Sequence, residues 1–202
     1  MLDRHVLPYL REPLTQLAKR FQAAGISANQ VTVGGFIVGL LAMLSIANEF
    51  YTLGVFLVLI NRLADGIDGA LARLNGATDL GGYLDITLDF IFYGGIVFAF
   101  AIANPQANAL AATFLLFSFM GTGSTFLAFS VMAAKRNLEN KLYGPKSLYF
   151  LGGLTEGSET IMVFVLMCLL PNSFAVLAYL FGTACLITTA TRLYSSYVAL
   201  RD

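Results

Sequence analysis

The sequence predicts an all-α integral membrane protein with six transmembrane helices and an amphipathic interfacial helix before the first of them. Three features of the chain predict it. Of its 202 residues, 57% are hydrophobic and 12% charged, where a soluble domain carries about 25% charged residues. Mean hydropathy is +0.75. Six apolar runs follow one another at 31–48, 51–74, 80–103, 108–134, 148–170 and 173–197, each near the roughly 20 residues that a bilayer span requires. The chain reads as one membrane domain over 1–202, with a cytoplasmic amphipathic segment over 1–30 and the helical bundle over 31–200.

Several function classes are excluded early. The formal net charge is zero, which speaks against a nucleic-acid partner. Cys168 and Cys185 both lie in apolar runs; they read as small buried fillers, with no disulfide framework implied. His5 is the one histidine, so a histidine-rich metal site is ruled out. No cleavable signal is evident, because the first apolar run follows some thirty mixed residues with no small-residue cleavage pattern.

Taken in order, residues 1–24 are too polar to span. Leu10, Leu14, Leu17 and Phe21 recur at helical spacing against Arg11, Lys19 and Arg20. That pattern predicts a helix lying on the cytoplasmic leaflet, or one packed on the protein itself. In the first span Gly35 and Gly39 form a GxxxG pair, suited to close helix packing within the chain or between subunits. The connections near Glu49, Pro105 and Pro171 carry no lysine or arginine. The opposite side holds Arg4, Arg11, Lys19, Arg20, Arg73, Lys135, Arg136, Lys141, Lys146, Arg192 and Arg201. The positive-inside rule then puts both termini in the cytoplasm. Arg62, inside the second span, departs from the pattern. Ser118, Thr122, Ser124, Thr125 and Ser130 in the fourth span are expected to bond mainly to their own helix backbone. After Gly152 and Gly153, Thr155 is a cap candidate for the fifth helix. Glu156 and Glu159 are structural if paired with Lys146 or Arg192, and selective for an acceptor if turned to a cavity. Arg192 is expected to snorkel.

Four aspartates inside the spans demand a cause, since an ionisable residue in a membrane segment is costly. Asp65 and Asp68 are i and i+3 in span two, and Asp85 and Asp89 are i and i+4 in span three, each pair on one helix face. The loop between them, LNGATDL, is short, so the helices should be antiparallel neighbours. At a rise of about 1.5 Å per residue, both pairs lie about 10 to 15 Å from their loop ends, so four carboxylates can converge. Like charges that close need a cation among them. All-oxygen donors select hard divalent cations, four carboxylates suit two of them, and two such ions suit displacement at phosphorus. Gly66, Gly69 and Ala72 leave room for a bulky ligand beside the acids, and Arg73 at the membrane face suits a phosphate.

Asp65-x-x-Asp68-Gly69-x-x-Ala72-Arg73, followed by Gly81-x-x-x-Asp85-x-x-x-Asp89, resembles the signature of the CDP-alcohol phosphatidyltransferase family. The stretch GISANQVT also looks like the family's approach to its first span, with Ala28 where many members have proline. Arg73 and Gly81 enclose seven residues where the family usually has eight; the missing one falls in the loop. The resemblance implies a six-span homodimeric enzyme of phospholipid biosynthesis. Such an enzyme transfers a phosphatidyl-type group from a CDP-linked lipid donor, CDP-diacylglycerol, to the hydroxyl of an alcohol acceptor and releases CMP. It implies two divalent cations, Mg²⁺ or Mn²⁺, held by Asp65, Asp68, Asp85 and Asp89, with Asp89 also the general base. It implies a CDP pocket lined by Gly69, Ala72, Arg73 and Gly81. Lys135 and Arg136 would bind an acceptor that carries a phosphate; their other reading is orientation and attraction to anionic lipid. The expected location is the inner membrane of a bacterium, with the active site at the cytoplasmic face.

Two other classes compete. A cation- or proton-coupled transporter also uses intramembrane carboxylates, but tends to place them near the midplane in two related halves, and spans five and six hold no matching aspartates. A non-catalytic metal-binding scaffold would have no need of a base at Asp89.

Overall fold

The computed structural model describes residues 3–136 and 153–201. Lys141, Lys146, Gly152 and the start of the fifth apolar run lie outside the described residues. Among the described residues, seven helices follow in order: α1 Asp3–Ala23, α2 Ala28–Ala47, α3 Tyr51–Asn75, α4 Asp79–Ala103, α5 Pro105–Lys135, α6 Gly157–Leu169 and α7 Phe174–Leu200. A single 3-10 turn, Pro171–Ser173, leads into the last. Among the described residues, α2, α4, α5 and the stretch Pro171–Leu200 are long and apolar enough to cross a membrane. The 25 residues of α3 match that length, but Arg62, Asp65, Asp68 and Arg73 lower its hydropathy. The described part of α6 has 13 residues.

The helix starts have local causes. Ser27 and Gln30 form a capping box at α2: the Ser27 hydroxyl accepts from the Gln30 N–H at 3.3 Å, and the Gln30 side chain accepts from the Ser27 N–H at 2.9 Å. Thr78 accepts from the Gly81 N–H at 3.1 Å to open α4. Asn104 does the same for Ala107 at 3.2 Å, ahead of Pro105 in the first turn of α5. Such caps satisfy backbone donors that the helix leaves open. Gly76 ends α3 with φ +93°, a conformation that costs other residues more. The cap expected at Thr155 is corrected. Thr155 turns toward α7 and donates to the Thr188 hydroxyl at 3.0 Å. The cap position belongs to Glu156, whose N–H donates to Glu159 at 3.2 Å.

Packing places α2 against α3 and α4, α5 against α4 and α7, α6 against α3, and α1 against α3. Two buried clusters result. The larger joins Ile46, Val58, Phe92, Phe100, Phe164 and Phe174 with their neighbours. Phe100 and Phe174 stack at 4.7 Å, and Tyr51 stacks on Phe100 at 5.8 Å. The smaller cluster is Ala18, Val31, Ile67, Ala70 and Leu71. Cys168 and Cys185 are buried free thiols, as expected.

One face of α1 packs on the protein. Leu14, Leu17 and Phe21 lie on the smaller cluster, while Tyr9 and Leu10 stay exposed. The space at Gly66 is used by this helix: a Cβ there would stand 2.9 Å from Leu14 Cδ1. That corrects the reading of Gly66 as room for a ligand. The hydroxyls of the fourth span behave as expected. Ser118, Thr122, Ser124, Thr125 and Ser130 all donate to carbonyls one turn back in α5.

The GxxxG pair works inside the chain. A Cβ at Gly35 would stand 2.8 Å from Ala64 Cβ on α3, and one at Gly39 would stand 2.8 Å from the Phe92 ring on α4. Without a hydrophobic drive between helices in lipid, such close approach is a main source of association. Phe92 is fully buried, so its ring has nowhere to retreat. Gly39→Val is therefore expected to destabilise the bundle by about 1–3 kcal/mol through overpacking. Thermal unfolding in detergent measures it, and an unchanged midpoint would contradict this packing.

Candidate functional site

The site is built on the facing turns of α3 and α4, roofed by α2. Its cleft is lined by Thr32, Gly35 and Phe36 of α2, Asn61, Arg62, Asp65 and Asp68 of α3, and Asp85, Leu88 and Asp89 of α4. The helical period puts each aspartate pair on one face, and the contacts at Gly35 and Gly39 set how far α2 sits from both.

Carboxylate oxygens of Asp65, Asp68 and Asp85 all lie within 4.8 Å of one another. Asp68 is buried, Asp65 half-buried and Asp85 exposed. Among the described residues, no lysine or arginine pairs with Asp68 or Asp85. Three carboxylates this close repel each other, and a divalent cation among them would relieve the repulsion. The donor set is all oxygen and anionic, which fits Mg²⁺ or Mn²⁺.

Asp89 lies one helical turn along and is held differently. Arg62 donates to both its oxygens, at 2.7 Å from Nη2 and 3.3 Å from Nη1. Arg62 also donates from Nη1 to the Tyr93 hydroxyl at 3.2 Å and from Nε to Asn61 at 2.8 Å. Asn61 in turn donates to the Gly35 carbonyl at 2.8 Å. The guanidinium carbon sits 4.7 Å from the Phe92 ring centre and 5.4 Å from that of Tyr93. Its cost at membrane depth is about 2.5–3.5 kcal/mol on insertion scales. Charge-assisted hydrogen bonds of about 1.5–3 kcal/mol each offset that, and the ring contacts add to them. The arginine is thus firmly held. Sequence reasoning marked Arg62 only as an exception to the positive-inside pattern. The usable signal was the cost of a mid-span arginine three residues before Asp65.

The remaining expected residues fall as follows. Gly69 and Ala72 are half-buried on α3, and Arg73 is exposed in its last turn. A Cβ at Gly69 would stand 3.4 Å from Arg73 Nη1, so the glycine lets that side chain lie back along the helix. Gly81 sits in the first turn of α4, where a Cβ would stand 3.0 Å from both Asn29 Oδ1 and Thr78 Oγ1. The short loop over 76–78 between α3 and α4 absorbs the seven-residue spacing. Lys135 and Arg136, at the end of α5, are exposed and outside the cleft lining. Arg192 does not snorkel: it is 7% exposed and donates to the Thr122 carbonyl at 3.1 Å, crossing from α7 to α5.

The model of the CDP-alcohol phosphatidyltransferase family matches residues 26–191. An inner membrane protein of Escherichia coli (strain K12), YnjF, is 49% identical over 202 residues, covering 100% of this chain and 98% of that protein. An archaetidylinositol phosphate synthase of Pyrococcus horikoshii is 28% identical over 192 residues, covering 95% of this chain and 94% of the synthase. In fold, the chain is similar to the phosphatidylinositol phosphate synthase of Mycobacterium tuberculosis with CDP-DAG bound, at a TM-score of 0.73 and 22% identity, over 91% of this chain and 93% of that one. The same synthase in complex with manganese and citrate gives 0.71 at 22% identity, over 91% and 88%.

Proposed function

This chain belongs to the CDP-alcohol phosphatidyltransferase family, and from that premise we propose that it transfers a phosphatidyl group from CDP-diacylglycerol to the hydroxyl of an alcohol, releasing CMP. The observation that carries this reading is the cluster of Asp65, Asp68 and Asp85 within 4.8 Å, drawn from two facing helices with Asp89 one turn beyond. The donor is supported by the mycobacterial synthase of the same fold, which binds CDP-DAG.

Each group has a role set by its position. Asp65, Asp68 and Asp85 hold a divalent cation, Mg²⁺ or Mn²⁺. Bound there, it would supply positive charge to the donor diphosphate and the departing CMP. Asp89 takes the proton of the acceptor hydroxyl as general base. Arg73, free at the helix end, meets a phosphate of the nucleotide, and Gly69, Ala72 and Gly81 keep that side of the cleft open. Lys135 and Arg136 are the acceptor-binding candidates. A second ion shared by all four acids, expected from the signature, has to contend with Arg62 at Asp89.

The whole molecule is a single six-span domain that works as a homodimer, with both termini and the site at the cytoplasmic face of a bacterial inner membrane. The bilayer location is supported by the four long apolar helices and by the 49% identical inner membrane protein. The positive-inside distribution supports the orientation.

The test is CMP release by the detergent-purified protein from CDP-diacylglycerol with Mg²⁺ or Mn²⁺. The acceptors are glycerol 3-phosphate, serine, inositol, inositol phosphate, ethanolamine, choline and phosphatidylglycerol. Metal-dependent release with one acceptor is the expected result. Failure to bind either CDP or a divalent cation would overturn the reading.

A further inference from the structure

α1 has two faces, and the protein occupies one of them. Leu14, Leu17 and Phe21 lie on the cluster of Ala18, Val31, Ile67, Ala70 and Leu71. Leu14 reaches Gly66, and Gln22 donates to the Asn75 side chain. These two anchor points are a little over two turns apart on both helices, so α1 runs alongside the last turns of α3, at the end that leads into the loop before α4. The rest of its surface is open. Arg11, Lys19 and Arg20 are exposed there, with Glu12 the one exposed acid beside them. Among the described residues, none of the three cations forms an ion pair. Tyr9 is 84% exposed and Leu10 47%. Leu10 stands one turn before Leu14 on the same stripe, but outside the buried cluster.

We propose that this open face of α1 is a docking surface for anionic phospholipid headgroups of the cytoplasmic leaflet. Tyr9 and Leu10 enter the acyl boundary, and Arg11, Lys19 and Arg20 meet the phosphates. The helix is fastened to α3, whose neighbour α2 is long and apolar enough to cross a membrane. The surface within its reach is therefore the protein's own bilayer. A helix with an apolar stripe flanked by cations lies in such an interface, and it binds more strongly where the lipid is anionic. The charge excess on this face gives it that preference. Leu14 meets Gly66 from the other side, so lipid binding also seats α1 on the turn of α3 that carries Asp65 and Asp68. The two contacts support each other, and anionic lipid stabilises the folded protein by mass action. Docking of this kind does not depend on the transfer reaction and is measured without turnover.

The probe is phosphatidylglycerol, titrated into dodecyl maltoside micelles that hold the full protein. A fluorophore on Gln16→Cys reports on α1, and the unfolding midpoint of the unlabelled protein is the second measurement. Both are expected to respond to phosphatidylglycerol and not to the same fraction of phosphatidylcholine, with the response shrinking in high salt. Each cation removed should lower the affinity about fivefold. The combined change Arg11→Gln, Lys19→Gln and Arg20→Gln should lower it about a hundredfold. These are surface positions, so the midpoint in lipid-free detergent should stay where it is. An equal response to phosphatidylcholine, no response to phosphatidylglycerol, or a triple variant that responds like the unaltered protein would overturn the proposal. So would the same response to glycerol 3-phosphate in solution, which would mark a site for soluble anions and not a lipid surface.

Discussion

Asp89→Asn is expected to lower the rate of CMP release by a factor of about 10²–10⁴, the usual contribution of a general base. The amide has almost the shape of the carboxylate but does not accept the acceptor's proton. Binding of Mn²⁺ at Asp65, Asp68 and Asp85 should persist, since Asp89 lies outside that group. The same change leaves Arg62 without its charged partner in a half-buried place, where their side chains are 15% and 29% exposed. Breaking a buried pair costs about 3–5 kcal/mol, and partial exposure with a surviving amide oxygen reduces this to about 1–3 kcal/mol. The metal-free protein should therefore unfold earlier in detergent. CMP release and thermal unfolding check the two halves. A rate within tenfold of the original would remove Asp89 from the role of base.

Asp68→Asn is expected to act in the opposite direction on stability. Asp68 is 5% exposed, and among the described residues it has no lysine or arginine partner. An aspartate without a cationic partner in a membrane helix costs about 2.5–3.5 kcal/mol; hydrogen bonds with Thr32 and the Gly69 backbone offset part of this, and a neutral amide removes part of the rest. The metal-free protein should gain about 1–2 kcal/mol, a rise of several degrees in the unfolding midpoint for a chain of this size. Removing a direct ligand should weaken Mn²⁺ binding by more than the roughly 10–100-fold typical of outer-shell changes, and CMP release should fall with it. A site that trades stability for a ligand shows this opposition. A structural aspartate would lose stability without altering metal affinity. Mn²⁺ titration beside the unfolding midpoint separates the two, and a destabilised variant with unchanged Mn²⁺ affinity would refute the assignment.

Much of this protein is local in origin and therefore readable along the chain. Apolar runs of span length mark α2, α4, α5 and α7 because lipid forces every backbone group to be satisfied within its own helix. The period of 3.6 residues puts Asp65 with Asp68, and Asp85 with Asp89, on single faces. The short loop brings α3 and α4 to the two sides of one cleft, but they do not pack on each other as the loop suggested: α2 packs against both. The signature over 65–89 is a string of residue types at fixed spacing, so it identifies the family without any knowledge of the fold. The capping box of Ser27 and Gln30 and the hydroxyls of α5 are equally local, since donor and acceptor lie three or four residues apart.

What the sequence left open depends on how the helices rotate and how closely they approach, which no local pattern contains. Gly35 and Gly39 announced a tight contact, but only the packing of Ala64 and Phe92 against them placed it inside the chain. α1 was open to lipid or protein, and only the tertiary structure set Leu14 against Gly66 on α3. Arg192 near a helix end looked like a group that reaches for water; α7 faces α5 there, and the side chain was turned inward to the Thr122 carbonyl. Four aspartates on two faces were expected to act together. Three of them meet, and the fourth is claimed by Arg62, because a guanidinium on α3 with a reach of several ångströms can cross to α4 once Asn61 is pinned to the α2 backbone. The sequence by itself determined the all-helical class, the family and which acids line the cleft. The tertiary structure alone decided which charges meet, because an ion pair is a property of two surfaces and not of either strand of residues that forms them.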